Sequence, residues 1–430
     1  MTSQSRSVQR TYLVLTLLTT LAASFIWGIN TLFLLDAGLS NTEAFTANAF
    51  FALGQVIFEV PTGVVADTRG RRFSFLLGAA TLLLSTLLYL GMWQVHAPFW
   101  GWALASALLG LGFTFFSGAT EAWLVDALHA TDYRGSLEVV FGRAQTVGGI
   151  AMLGGSVAGG FIAQATNLGV PYVVRAAMLG VTLVVAWRFM RDLGFTPQRG
   201  AGPVTAVRTV LRGSIDAGFR NPPVRWLMLA GPFGAGVGFY VFYAMQPYLL
   251  QLYGDRTAYG VAGLAAAMVA GAQITGGLLA PRIRRLFRRR TDALILGTAL
   301  DVVLLALISL TTSFAIALIL LAVWCLTFAV QSPLRQAFVN GLIPSAQRAT
   351  VLSFDNLMGS AGGAVAQPFL GRVADVNGYA ASYLVSAAIQ AVGVPFAILA
   401  RRERAPSDPI IEGEGPGRPP AGEARTPSVD

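Results

Sequence analysis

Twelve stretches of mostly apolar residues follow one another along the chain, and each is long enough to cross a lipid bilayer. A helix needs about 20 such residues to span the hydrocarbon core. The runs are 11–35, 44–66, 73–95, 98–125, 139–166, 170–190, 224–253, 257–280, 291–312, 313–341, 349–374 and 380–400. Only Thr311, Thr312 and Ser313 mark the turn between the ninth and the tenth. Without water in the bilayer, backbone N–H and C=O groups must bond within each segment, so the runs are predicted to be helices. The expectation is an all-α membrane protein with twelve transmembrane helices. Composition agrees, with 54% hydrophobic and 12% charged residues, about half the charged fraction of a soluble domain. The 48 glycines suit helices that pack closely in lipid.

The charges that remain orient the chain. All 30 basic residues are arginine, which we read as the base-composition bias of a bacterium. A net charge of +9 raises nucleic acid as a partner. The arginines, however, gather in alternate loops, which is a pattern of membrane orientation, so no nucleic-acid partner is expected. With both termini and the even loops cytoplasmic, only Arg175, Arg256 and Arg372 fall on the other side, and Arg335 falls within a helix. The expected location is the bacterial cytoplasmic membrane, crossed many times, with both termini inside. Arg6 and Arg10 precede the first run as in a signal peptide. That run continues to Leu35, too far for a cleaved segment, and is read as an uncleaved anchor. Cys325 is the single cysteine, and His96 and His129 lie far apart. This argues against a disulfide framework, a metal site or a histidine-based nucleophile. No Gly-x-x-x-x-Gly-Lys-Ser/Thr loop is present, so neither a nucleotide nor any other cofactor is expected.

The runs divide into two sets of six. Residues 1–190 form the first bundle, 191–223 a cytoplasmic linker, 224–404 the second bundle and 405–430 a Pro-, Gly- and Glu-rich tail expected to be disordered. In the linker, Val204, Val207, Leu211, Ile215 and Phe219 recur at helical spacing among Arg208 and Arg212. The pattern suits an amphipathic helix lying on the membrane surface, with a plain linker as the alternative. The halves are also related in sequence. Glu121 to Asp126, through Arg134 to Gly149, lies without gaps over Arg335 to Asn340, through Arg348 to Gly363. A parallel repeat implies a pseudo-two-fold axis along the membrane normal, with a substrate site near mid-depth between the halves.

Between the second and third runs lies the most charged short loop of the first bundle. Its sequence runs Gly63-Val-Val-Ala-Asp67-Thr-Arg-Gly70-Arg71-Arg72. It resembles the signature loop between helices 2 and 3 of the major facilitator superfamily, which is Gly, three residues, Asp, two residues, Gly and two basic residues. The match has the right place in a six-plus-six chain, and the resemblance covers roughly 10–401. Leu34 to Ser40 and Phe58 to Gly63 are similar to a bacterial branch of drug-efflux and related exporters. The resemblance implies that Gly63, Asp67, Gly70, Arg71, Arg72 and Asp126 form a conformational latch. Asp67 would meet the start of helix 11, near Arg348 to Ser353, and Arg71 would pair with Asp126. Independently of the family, an acid is favourable at a helix N-terminus, and Gly63 and Gly70 allow close approach and tight turning. The copy in the second half, Gly277 to Arg285, has Pro281 where the acid would be, so the latch is expected to act from one side. Ser106 stands where proton-driven exporters often carry an arginine. Gly155-Ser-Val-Ala-Gly159-Gly160 resembles the antiporter Gly-Pro-x-x-Gly-Gly motif, with Ser156 in place of proline.

Ionisable groups inside a membrane are costly and mark candidate sites. Glu121 and Arg335 occupy equivalent repeat positions and are expected to meet across the cavity, as a gate, as part of the substrate site or as a static pair. Asp301 near mid-depth of helix 9 either turns inward and titrates or serves structure. Asp355 is expected near Asp67. Glu59 has Gln273 as its counterpart, and Asp36 is placed at the outer surface. Cavity lining is read from helices 1, 7 and 10. They offer Phe25, Trp27 and Asn30; Tyr240, Tyr243, Gln246 and Tyr248; and Trp324, Phe328 and Gln331. Aromatics with a few amides suit a bulky amphipathic or aromatic compound.

The resulting expectation is a monomeric secondary transporter, not an enzyme. It exports a small organic compound by alternating access, with protons as the coupling ion and the lipid bilayer as its surroundings. The alternatives are proton-coupled uptake by the same fold, and a membrane receptor or partner subunit that transports nothing.

Overall fold

The computed structural model describes residues 2–197, 205, 208, 212, 218–343 and 348–410. Thirteen helices account for most of the described chain. They are α1 (Ser3–Trp27), α2 (Asn30–Asp36), α3 (Asn41–Arg69), α4 (Arg71–Gln94), α5 (Phe99–Thr114), α6 (Ala119–Ala130), α7 (Leu137–Ala165), α8 (Gly169–Phe189), α9 (Pro222–Tyr253), α10 (Tyr259–Arg284), α11 (Arg290–Leu310), α12 (Phe314–Asn340) and α13 (Arg348–Arg402). The twelve expected spans map onto these thirteen because two spans are broken and one helix holds two spans. Span 1 comprises α1 and α2, and span 4 comprises α5 and α6. Helix α13 contains spans 11 and 12, turned at Gly378, whose φ is 82°.

Each break has a local cause. In span 1, Gly28 lies so close to span 8 that a Cβ there would come 2.9 Å from the Ala266 Cβ. The helical bond from Thr31 N–H to Trp27 C=O is consequently open. The carboxamide of Gln246 occupies the gap, accepting from Thr31 N–H at 3.0 Å and donating to the Trp27 carbonyl at 3.1 Å. In span 4 the chain turns at Phe115–Gly118, where Gly118 has a φ of 67°. Such irregular backbone inside a membrane protein is tolerated where protein or a water-filled cavity satisfies it. Elsewhere the helices continue through their prolines, including Pro61, Pro247, Pro281 and Pro333.

Spans 1–6 pack as one bundle and spans 7–12 as another. The first and last described residues and the described ends of the linker lie at one face, called here the terminal face; the other is the far face. Hydrogen bonds between the bundles gather toward the far face. Asp375 accepts from the backbone of Asn41 and Thr42 at 3.0 and 2.8 Å, and from the Thr42 hydroxyl. The Tyr379 hydroxyl donates to Asn41. Gln164 accepts from Gly260 N–H at 2.9 Å, beside a crossing where Gly160 would bring a Cβ 2.8 Å from Gly263 Cα. The motif from Gly155 to Gly160 thus serves two contacts, span 1 on one side and span 8 of the other bundle on the second. Toward the terminal face, by contrast, and among the described residues, the ion pairs of Asp67, Arg71 and Asp126 stay within the first bundle, and that of Arg335 stays within the second.

One expectation about the segments changes, and a second falls outside the described residues. The tail does not come loose at residue 405. Asp408 is buried and accepts from the Thr291 N–H at 2.9 Å and its hydroxyl at 2.8 Å, capping α11. Ile410 N–H donates to the Arg288 carbonyl at 3.0 Å. Capping satisfies backbone groups that the helix start leaves open, so the chain is held as far as Ile410; residues 411–430 lie outside the described set. In the linker, Arg208 and Arg212 are helical and exposed. Val204, Val207, Leu211 and Ile215, which carry the amphipathic pattern, also lie outside it.

Candidate functional site

Three cavities lie along the seam and in the second bundle. A central one of about 510 Å³ sits between the halves and is lined by Trp27, Asn30, Asn48, Gln55 and Arg175 from the first half, and by Phe239, Tyr243, Gln273, Trp324 and Phe328 from the second. A vestibule of about 1300 Å³ adjoins it toward the terminal face, with Tyr12, Gln55, Glu121, Gln145, Gln273 and Gly277 in its walls. A third, of about 640 Å³, lies within the second bundle and contains Asp301, Gln331, Arg335, Asp355 and Gln390.

Several expected lining residues fall elsewhere. Trp27, Asn30, Tyr243, Trp324 and Phe328 do face the central cavity. Gln246 is fully buried in the span 1 break, where its amide is consumed by backbone. Tyr240 and Tyr248 belong to the second bundle's core, bonding Ser382 and the Ile308 carbonyl. Gln331 turns into the third cavity and donates to Asp301 at 2.8 Å. Asn48, Gln55, Tyr89, Phe239, Phe242 and Gln273 join the central cavity's walls beyond the residues expected there.

The expected meeting of Glu121 with Arg335 is not made. Arg335 forms a two-pronged pair with Asp355, one prong at 2.6 Å, and also donates to the Leu227 carbonyl at 3.1 Å. Asp355 therefore sits against Arg335 on span 10, not against Asp67. Glu121 lies in the first turn of α6, exposed to the vestibule, and among the described residues no cation pairs with it. An acid there is favoured by the positive end of the helix dipole, so a half-helix start provides for Glu121 where a cross-cavity arginine was expected. Glu59 accepts from Ser117 at 2.7 Å, tying span 2 to the span 4 break. Asp36 accepts from the Trp93 indole at 2.8 Å.

Asp301 faces inward. Its carboxylate is fully buried and accepts from the Thr327 hydroxyl and the Gln331 amide. No cation pairs with it among the described residues. An acid held by uncharged donors inside a membrane bundle is a candidate for function.

The charged loop is organised within the first bundle. Gly70 has a φ of 109°, which favours glycine, and a Cβ there would lie 2.5 Å from an Asp192 oxygen. Asp192 instead accepts from Arg72 N–H at 2.8 Å, closing the start of α4. Arg71 pairs with Asp67 at 2.5 Å and approaches Asp126 at 3.9 Å, the second contact as expected. Arg72 donates to the Trp187 carbonyl at 2.6 Å. Nothing in the sequence around Asp192 marks it for this role. At Gly63 an added Cβ would meet open space, so the close approach expected of it is not made in this conformation. The side chains of Arg348, Ala349, Thr350 and Ser353, where Asp67 was expected to dock, are outside the described set.

A sequence model described as Major Facilitator Superfamily matches residues 12–367. The chain belongs to that superfamily. It is a membrane transporter and not an enzyme. The fold of this major facilitator resembles those of solved transporters. The nucleoside transporter NupG superposes with a TM-score of 0.75 at 9% identity, covering 93% of this chain and 100% of that one. A bacterial homolog of the human lysosomal transporter Spinster, in an inward-facing and unoccupied conformation, gives 0.69 at 16%, covering 94% and 98%. The POT family transporter PepTSo gives 0.69 at 13%, covering 94% and 99%. No curated protein sequence matches the chain.

Proposed function

We propose that this major facilitator is a proton-coupled exporter of a small aromatic or amphipathic organic compound, working by alternating access as a monomer in the bacterial cytoplasmic membrane. The observation that carries the reading is the central cavity of about 510 Å³, walled by both halves, bonded shut toward the far face and adjoining a vestibule toward the other. Arginine placement supports a cytoplasmic terminal face, so this conformation is the one open to the cytoplasm. Substrate would enter past Glu121 and settle among Trp27, Asn30, Tyr243, Trp324 and Phe328. The latch residues Gly63, Asp67, Gly70, Arg71, Arg72 and Asp126 would close the terminal face in the opposite state. Gly63 would then take up the approach that it lacks here.

Asp301, with Gln331 and the Arg335–Asp355 pair in the same cavity, is the proposed site of proton uptake and release. Its donors are uncharged, so one proton changes the net charge of the second bundle's interior. Accumulation of a panel of aromatic dyes in expressing cells tests the function. Export predicts lower accumulation than in non-expressing cells, restored by a protonophore. Asp301→Asn should insert normally yet behave as a non-expressing control. Raised accumulation would establish uptake instead, and no change for any dye with normal insertion would support a scaffold.

A further inference from the structure

Among the described residues, the central cavity holds one ionic group, and its sign is positive. Arg175 was placed on the far side by the arginine pattern, but it lies within α8 with 2% of its surface exposed and reaches the cavity wall. Its Nε donates to the Thr86 hydroxyl at 3.0 Å and its Nη1 to the Ala22 carbonyl at 3.1 Å. Neither partner carries charge. No aspartate or glutamate pairs with Arg175 among the described residues, and none lines the cavity. Glu121 and Asp301 belong to the neighbouring vestibule and to the third cavity. Across the cavity the buried indole Nε1 of Trp324 has no acceptor among the described residues.

A guanidinium keeps its charge at working pH and presents a fork of donors suited to carboxylate or phosphate oxygens. Burying it without an anion is costly. Arg175 is held in place by two neutral acceptors, which fix its direction and leave its charge uncompensated. Aromatic walls surround it. We infer that the transported compound is an aromatic organic anion, its carboxylate or other acidic oxygens answering Arg175 and its ring lying against the contacting Trp27–Phe242 pair and Phe328. Entry of such a compound would supply the missing counter-charge, and so would couple occupancy to the electrostatics of the first bundle. The inference rests on the reading of the central cavity as the substrate site and names the class of substrate.

Three probes sharing one ring separate the possibilities: 2-naphthoate, 2-naphthamide and 2-naphthylmethylammonium, titrated by calorimetry into the full-length protein in lipid nanodiscs. Naphthoate should bind about tenfold or more tighter than the amide, as a charge-assisted hydrogen bond implies, and the ammonium should bind weakest. Arg175→Gln should cost naphthoate far more affinity than the amide and so abolish the preference, whereas Arg175→Lys should keep part of it. Should Arg175→Gln fail to insert, the wild-type order and its retention in Arg175→Lys decide the matter. Equal binding of naphthoate and naphthamide, or tighter binding of the ammonium, overturns the anion assignment and leaves the transport reading standing. Unchanged naphthoate preference in Arg175→Gln likewise overturns it. Absence of binding by all three overturns the cavity as the ligand site and the anion assignment with it.

Discussion

At the scale of single residues, partners far along the chain decide what a charge does. Arg335 was readable as an intramembrane cation but not as the partner of Asp355, because the repeat pointed to Glu121. The repeat position of Asp355 in the first half is Phe141, so the first half lacks the acid that the second half uses, and symmetry misleads. Arg175 was misplaced for a related reason. A lone arginine a few residues inside an apolar run reads equally as a boundary marker; what places it is the Ala22 carbonyl and the Thr86 hydroxyl, remote in sequence. Asp192 shows the same limit from the other side, since nothing local in residues 191–195 announces that it closes the start of α4. Replacing Asp192 with alanine should remove that cap at a cost of about 1 kcal/mol, read as a lower unfolding temperature in detergent. An unchanged temperature would mean that the Arg72 N–H is satisfied by water just as well.

At the scale of elements, helices were legible and their interruptions were not. Hydrophobic length is a local property, and all twelve expected runs are occupied by helix, in places continuing several residues beyond the expected ends. The breaks in spans 1 and 4 are not local properties. Among 48 glycines, Gly28 and Gly118 carry no mark that sets them apart, and the gap at Gly28 is filled by a side chain from span 7. Gln246 thereby became part of the seam between halves instead of the substrate site it was expected to join. Gln246→Leu should leave the Thr31 N–H and the Trp27 carbonyl unpaired, at about 1–3 kcal/mol, and so weaken the far-face closure. With Cys325 replaced by alanine, a cysteine at Ala23 in the central cavity wall should then react about tenfold faster with a membrane-impermeant thiol reagent added on the far-face side. Equal rates would show that Asp375, Tyr379 and the Gly160–Gly263 crossing hold the far face without it.

At the scale of the whole molecule, the two-bundle fold and the family were legible from the spans, the repeat and the charged loop together. The state was not, because it depends on which face the halves share. The bonds of Gln246, Asp375, Tyr379 and Gln164 set one answer in this structure: the far face is joined, and among the described residues no hydrogen bond or ion pair joins the halves at the terminal face. The loop at Asp67 to Arg72 is correspondingly folded onto its own bundle, with Asp67 spent on Arg71. Alternating access requires that weakening one face favours the other, since a population shifts only by the free energy that distinguishes its two states. In the proposed cycle this cavity opens to the two faces in turn.

Spin-label distances test that claim most directly in the full-length Cys325→Ala protein in nanodiscs, with one pair at Thr166 and Arg256 on the far face and another at Thr68 and Leu286 on the terminal face. All four positions are exposed. On introducing Gln246→Leu, alternating access predicts a new population in which the far-face distance lengthens and the terminal-face distance shortens together. A far-face distance that lengthens while the terminal-face distance stays fixed, or no change in either, would contradict it.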